Sequence, residues 1–342
     1  MPRRSRRPPA HEVMLGHITA YWISQLVSVA AKLGVADALA RGPATPEAIA
    51  KRVGARAPLL RRVLRALASF GVFAETTGGR FRLTPAAEML RSDRPGSLRN
   101  FALMAIEGYN WAAWGALLHG VTTGERPFDH VHGMPVFAWL QRHPDEDRMF
   151  SASMASISGP ENAAIAAAYP FGELGTLVDV GGAHGHLLES ILRRHRRLRG
   201  VLFDQPQVVA QAPASGFVTS RAVRDRCEVV GGDFFAWVPE RADGYVMKYI
   251  IHDWDDEAAL RVLRNCRDAM APGGRVLVVD HVIPRGNTPS WAKLLDINML
   301  VGPGGLERTR EEFRDLFARA GLRLRRVVPT TCPLSVLEGV RT

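Results

Sequence analysis

From Leu177 onward the chain alternates short apolar runs with stretches of helical periodicity. Runs at Leu177–Val180, Val201–Phe203, Cys227–Gly231, Gly244–Lys248, Arg275–Asp280, Leu322–Val328 and Leu334–Glu338 predict strands. Strands alternating with helices predict a parallel sheet covered on both faces, and the ligands of such sheets bind beyond the carboxyl ends of the strands. Gly181, Asp204, Asp233, Lys248 and Asp280 all fall at those ends, so the pattern gathers them on one rim. Any one strand-end aspartate reads equally well as a turn former.

The first half has a different texture. Met14 to Leu39 shows helical periodicity, and TPEAIAKRVGARAPLLRRVLRALASFGVFAE reads as helix, turn, helix and strand. Thr45, Pro46 and Glu47 form an N-cap, a proline at the first helical position and a first-turn acid. Gly78 and Gly79 between Phe73 and Phe81 predict a β-hairpin wing, which makes a winged helix of this region. Arg56, Arg61, Arg62 and Arg65 interleave with its apolar positions and favour subunit pairing over a DNA-facing surface. Gly96 to Tyr169 reads as mostly helical, with breaks at Gly120, Gly133 and Pro135. Its aromatic and thioether residues suit either a core or the lining of a pocket for flat ligands.

The chain has 342 residues, 46% of them hydrophobic and 23% charged, enough for two packed domains and too apolar for disorder. The formal charge of +10 is spread along the chain apart from Arg3–Arg7 and Arg193–Arg199, so neither a nucleic-acid nor a membrane partner is expected. No apolar run is expected to reach the ~18 residues of a membrane span, and the basic start lacks an apolar region of signal type. Three widely separated cysteines, Cys227, Cys266 and Cys332, fit reduced thiols in a cytoplasm and give no metal motif.

The sharpest local signal is LVDVGGAHGHLLESILRRHRRLRGVLFDQP, residues 177–206. It reads as strand, glycine turn, helix, second strand and a terminal acid placed to receive ribose hydroxyls. The GGAHG spacing misses the G-x-G-x-x-G fingerprint of dinucleotide folds. Four later blocks, GGDFFAWVP, YVMKYIIHDWDDEAALRVLRNC, MAPGGRVLVVDHVIP and LLDINMLVGPGGLERTREEF, follow it in order. With them the chain resembles the S-adenosylmethionine-dependent O-methyltransferases that methylate phenolic small molecules in plants and in bacterial secondary metabolism.

The resemblance runs from about Gly16 to Gly339. It implies a Rossmann-like class I methyltransferase domain of the α/β class, built on a mostly parallel seven-stranded sheet. An N-terminal, mainly α, winged-helix-like dimerisation domain precedes it. Expected boundaries are a disordered basic tail at 1–12, the dimerisation domain at 13–95, a helical linker and substrate lid at 96–169, and the catalytic domain at 170–342. A homodimer is implied by the resemblance alone.

By the same resemblance S-adenosylmethionine is the cofactor, with no metal. Gly181 and Gly182 approach its methionine portion, Ser158 its carboxylate, Asp204 the ribose, Asp233 and Phe234 the adenine, and Lys248 the nearby backbone or ribosyl edge. Asp179, Gln205 and Gly232 complete that set. Where the family has an unbroken glycine run and a threonine, this chain has Ala183 and His184; alanine still permits close approach, and His184 reads as a loop or capping histidine.

His252 in IIHDWDD matches the family's general base, and Asp280 and Glu307 match the two acids that flank and orient it. A phenol of pKa ~10 stays protonated at neutral pH, so a positioned imidazole is useful. Plant members more often carry glutamate at the Asp280 position, and one methylene less is expected to loosen that hydrogen bond. Asp253 reads as a polarising group or, more plainly, as the cap of the helix starting near Asp255. Met154, Tyr249, Asp253 and Met299 are the candidate substrate contacts, for a small aromatic acceptor of the phenolic-polyketide type.

Three alternatives stay open: a relative that uses the same site for hydroxylation or for N- or C-methylation, a winged-helix DNA-binding regulator that senses S-adenosylmethionine, and, least favoured, a nicotinamide dehydrogenase.

Overall fold

The computed structural model describes residues 9–211 and 221–342. The Arg3–Arg7 stretch of the expected tail lies outside them, and a helix begins as early as Ala10. The chain divides into two compact units. The first comprises residues up to Trp111 together with Leu140–Ile157, and the second comprises Ala112–Trp139 and Ser158–Thr342.

In the first unit a helix spans Ala10–Leu33 and stops at Gly34, whose left-handed backbone (φ 70°) caps its last carbonyls. The expected single helix to Leu39 is therefore two, the second being Val35–Ala38. By length and composition Ala10–Leu33 could cross a membrane, with mean hydropathy 1.3 over its best window, contrary to expectation. His17, Thr19, Ser24, Gln25 and Ser28 interrupt it, however, and it packs on helices Ala57–Ser69 and Arg99–Met104. Helix Pro46–Val53 is capped as anticipated: the Thr45 side chain accepts the Ala48 N–H at 3.3 Å. Strands β1 (Phe73–Glu75) and β2 (Phe81–Leu83) pair antiparallel around the Gly78–Gly79 turn. Phe73 and Phe81 close this unit's core over Ile49, Leu60, Leu64 and Leu67.

The second unit is built on β3 (Thr176–Val180), β4 (Arg199–Asp204), β5 (Cys227–Gly231), β6 (Gly244–Lys248), β7 (Arg275–Asp280), the short β8 (Val282–Ile283) and β9 (Arg308–Thr309), β10 (Leu322–Pro329) and β11 (Ser335–Arg341). Seven of these form one sheet in the order β10-β11-β7-β6-β3-β4-β5. The five strands from β7 to β5 are mutually parallel, and β11 and β10 add antiparallel at one edge. Strand residues point alternately to opposite faces. Val276 and Val278 join Val178, Val180 and the helices Asp256–Ala269 and Arg310–Arg319 in one core. Leu277 and Val279 join Leu177, Val246 and the helix His186–Arg194 in the other. Both faces being covered, the central strands are near-continuous apolar runs, the reason they were legible.

Strand order turns back between β3 and β6, which lie side by side although β4 and β5 intervene in sequence. Sheets of this kind open a crevice at such a switch point.

Gly120 does not break a helix. It lies within Leu117–Thr123, which ends at Gly124 (φ 78°), and its missing side chain makes room for Pro127, whose Cγ would lie 2.7 Å from a β-carbon there.

Candidate active site

The carboxyl ends of the parallel strands carry the expected groups on one rim. After β3 the backbone turns at Gly181 (φ 67°), where a β-carbon would overlap the Ile250 side chain beyond β6. At Gly182 it would lie 2.6 Å from Leu202 Cδ1 and 2.7 Å from Asp179 Cγ. The two glycines are thus demanded by the protein's own packing at the switch point, whatever binds above them. Ala183 takes a left-handed backbone (φ 48°), and its N–H donates to Asp204 Oδ2 at 2.8 Å. The Gln205 N–H donates to Asp204 Oδ1 at 2.7 Å, so Asp204 ties the glycine turn to the end of β4. His184 is half-buried in that turn and caps nothing, because Gly185 holds the N-cap position.

Beyond β5 the Gly232 N–H donates to the Asp204 carbonyl oxygen at 2.9 Å. Asp233 is exposed and accepts the Phe235 N–H through Oδ1 at 2.9 Å, which leaves Phe234 half-buried beside it. Behind the turn, Asp179 is buried with Oδ2 lacking any hydrogen-bond partner. Burial pushes its carboxyl up to about 7, Lys248 pulls the other way and Asp204 adds to the rise.

Three residues the sequence did not flag support β6. Lys248 Nζ contacts Glu161 Oε2 at 3.3 Å and Asn162 Oδ1 at 2.8 Å, both on the helix Pro144–Ala168. The Tyr249 hydroxyl donates to Glu161 Oε1 at 2.8 Å. Tyr249 has a positive φ of 58°, a conformation a bulky side chain adopts only under constraint. The constraint is visible: its N–H donates to Val279 of the neighbouring strand and its hydroxyl is held by Glu161. Its ring then lies 5.1 Å from the His252 ring at 25°, with the third unflagged residue, buried His281, at 5.9 Å. Ser158 is half-buried one turn before Glu161 and Asn162. Met154 belongs to the first unit, where it is half-buried.

His252 sits in a 3-10 turn directly beyond β6 and is buried. Its Nδ1 is 2.7 Å from Glu307 Oε1, and its Nε2 is 3.5 Å from Asp253 Oδ1. The expected pair of orienting acids is reduced to one in this arrangement. Asp280 is buried nearby, but neither of its oxygens has a hydrogen-bond partner. Asp253 is not the helix cap; Asp255 is, accepting the Ala258 N–H at 2.9 Å.

Burial pulls the His252 pKa down, yet Asp253, Asp280 and Glu307 outweigh it and lift it to about 9. Asp253 is raised to about 6, chiefly by burial and against the pull of His252. Burial, reinforced by Glu307 and Asp253, also drives Asp280 well above the carboxylate range.

Glu307 is brought to His252 across 55 residues by a clamp the sequence concealed. Arg308, fully buried, donates to the carbonyls of Ile251 (3.1 Å) and Trp254 (3.1 Å) and to Asp256 Oδ1 (2.9 Å). Asp296, on the helix Trp291–Val301 that also carries buried Met299, accepts the Glu307 N–H at 2.9 Å. A β-carbon on Gly305 would overlap the His252 carbonyl oxygen, so the two segments touch backbone to backbone.

The groups on this rim suit a nucleoside: a glycine turn follows β3, a strand-end acid, Asp204, lies beside it, and the buried Asp179 carboxylate behind it has one oxygen without a hydrogen-bond partner. Four residues beyond the end of β6 stands a buried imidazole held by a carboxylate, a group that handles protons. The class these features define is the Rossmann-like methyltransferase that draws on S-adenosylmethionine. Residues 114–323 match the O-methyltransferase domain and residues 15–93 the O-methyltransferase dimerisation domain, and the chain belongs to that family.

A phenazine O-methyltransferase of Lysobacter antibioticus is 45% identical over 98% of both chains. A phenazine-1-carboxylate N-methyltransferase of Pseudomonas aeruginosa is 33% identical over 95% of both. Among solved structures, the SAH-bound form of a methyltransferase of calicheamicin biosynthesis superposes with a TM-score of 0.90 at 37% identity, covering 98% of this chain and 99% of that one. An O-methyltransferase of neocarzinostatin biosynthesis, in complex with S-adenosyl-L-homocysteine and 1,4-dihydroxy-2-naphthoic acid, does so at 0.77 and 33%, covering 93% and 96%. The protein is an S-adenosylmethionine-dependent methyltransferase carrying a dimerisation domain.

Proposed function

We propose that the protein methylates a phenolic hydroxyl of a small aromatic natural-product intermediate of the polyketide type, with His252 as general base. The observation that carries this reading is the buried His252 Nδ1 to Glu307 Oε1 contact of 2.7 Å. With Nδ1–H donating to Glu307, the lone pair of neutral His252 is on Nε2, the nitrogen left to take a substrate proton. A pKa of about 9 suits that task, since it lies close to a phenol's ~10 and makes the transfer nearly even. Glu307 then stabilises the imidazolium that forms.

S-adenosylmethionine supplies an electrophilic methyl group on a sulfonium sulfur. Gly181 and Gly182 are proposed to lie along its methionine portion with Ser158 at the carboxylate. Asp204 with Gln205 would take the ribose, and Gly232, Asp233 and Phe234 the adenine. Asp179 and Lys248 form the floor beneath. Tyr249, whose hydroxyl is already engaged, contributes a ring face beside the imidazole, and Asp253 and Met299 complete the acceptor side. Holding the acceptor in line is worth up to roughly 7–11 kcal/mol, against ~10²–10⁴-fold for the base. Three free thiols favour work in the cytoplasm.

Incubation with S-adenosylmethionine and a panel of hydroxylated aromatic acids, naphthoates and phenazines is expected to yield S-adenosylhomocysteine and an acceptor heavier by one methyl group on oxygen. The N-methyltransferase relative makes methylation at ring nitrogen the second reading. A nitrogen lone pair needs no base, so full activity of His252→Ala with an N-methylated product would establish that reading instead.

A further inference from the structure

Among the described residues one group of three metal-ligating side chains converges, and it is remote in sequence from the chemistry above: His119, Glu125 and His130. One ligand atom from each lies within 4.8 Å of the others. His119 Nε2 is 2.7 Å and His130 Nδ1 3.7 Å from the same carboxylate oxygen, Glu125 Oε2. The two imidazoles stack face to face, centroids 3.6 Å apart at 17°. A simple surface hydrogen bond accounts for one histidine and the carboxylate. It does not account for a second imidazole laid flat on the first with a ring nitrogen turned to the same oxygen.

We propose that His119, Glu125 and His130 bind one divalent transition-metal ion of the zinc class. Two imidazole nitrogens and one carboxylate oxygen are the donor set such an ion accepts at ~2.0–2.2 Å, which places tetrahedral ligand atoms about 3.3 Å apart. The two histidine–carboxylate separations, 2.7 and 3.7 Å, lie on either side of that value, and closure on an ion requires the stacked rings to rotate out of parallel so that a nitrogen of each aims at it. All three side chains reach solvent, which leaves a fourth position for water.

The backbone that presents them is already set. The helices Leu117–Thr123 and Pro127–His132 are joined by three residues, and Pro127 packs into the space left by Gly120. The Thr123 hydroxyl donates to the His119 carbonyl at 2.8 Å and accepts the Glu125 N–H at 3.1 Å, which couples two of the ligands. Both helices pack on Trp291–Val301, so an ion here ties together the hairpin behind Met299 and Asp296. Its role is structural, separate from the methyl transfer. The H-x5-E-x4-H spacing crosses a helix end and a turn, which is why it carried no message in the sequence.

The test uses the full chain free of any histidine tag, stripped with EDTA, dialysed and titrated with zinc chloride in a calorimeter. Cobalt(II) absorption serves as a second readout of the coordination shell. One ion per chain is expected, with a melting temperature that climbs as zinc is added. Uptake is expected to be lost in the His119→Ala/His130→Ala variant and retained in His143→Ala. If the double alanine variant fails to fold, His119→Asn takes its place. No uptake by the wild-type chain, or uptake unchanged in the ligand variants, overturns the proposal.

Discussion

His252 is where a single side chain decides the chemistry, and the carboxylates around it set the pH at which it works. Its pKa of about 9 means that roughly one imidazole in a hundred is neutral at pH 7. The sign follows directly: the proton-accepting form grows as pH rises, so kcat/KM is expected to increase about tenfold per unit from pH 7 and to level off near 9. Asp253, 3.5 Å from Nε2, makes the largest single charge contribution to this rise. Asp253→Asn is therefore expected to move the rising limb toward acid and to bring pH 7 activity closer to its plateau. A pH–rate profile of the two enzymes on one acceptor checks this, and superimposable limbs would remove Asp253 from the account. His252 could be singled out in the sequence because a motif and a strand end coincided there. The state of its proton could not, because it depends on three acids at positions 253, 280 and 307.

The elements that hold this group are ordinary, and their junctions are specific. Turn 251–253 and the segment leading into β9 meet through Arg308 and through the bare backbone of Gly305. Gly305→Ala would force a methyl group against the His252 carbonyl and push Glu307 off the imidazole. A misplacement of ~1 Å can cost about 10²-fold, so kcat is expected to fall by that order. S-adenosylmethionine affinity should stay within a few-fold, because the glycine turn and Asp204 are built on other strands. Single-turnover rates and calorimetric cofactor binding separate the two effects; equal loss of both would mean the whole rim had collapsed.

The central strands could be read from sequence almost to the residue, since burial on both faces makes them continuous apolar runs. The pairing of β8 with β9 could not, being two residues on each side held by contacts from elsewhere. Glu161 and Asn162 were invisible for the same reason: their partners, Lys248 and Tyr249, lie more than 85 residues away. Asp255 took the cap expected of Asp253 because only its side chain lies where the Ala258 N–H points.

At the scale of the whole molecule, the surface left over by the first unit's fold is as informative as its core. Helix Ala10–Leu33 exposes Val13, Met14, Leu15, Ile18, Tyr21, Trp22 and Val29, a density of large apolar side chains that isolated soluble monomers rarely leave in water. The same stretch that meets the length and hydropathy of a membrane span falls largely within the dimerisation domain at 15–93. A second copy of the chain accounts for both properties, because an obligate subunit interface is about as apolar as a domain core. Fully burying each such side chain contributes roughly 1.5–3 kcal/mol, so seven supply on the order of 10 kcal/mol, comparable to the ~4–15 kcal/mol that association costs in lost freedom. The balance is close enough for one buried charge to tip it. Ile18→Asp, and separately Trp22→Asp, is expected to weaken self-association by about 30-fold or more, an interface hot spot being worth ~2 kcal/mol or above. Light scattering behind size exclusion, run over a concentration series, should then show a dimer for the wild-type chain and a dissociating or monomeric species for the variants. A wild-type chain that runs as a monomer at every concentration would mean that another partner covers this face.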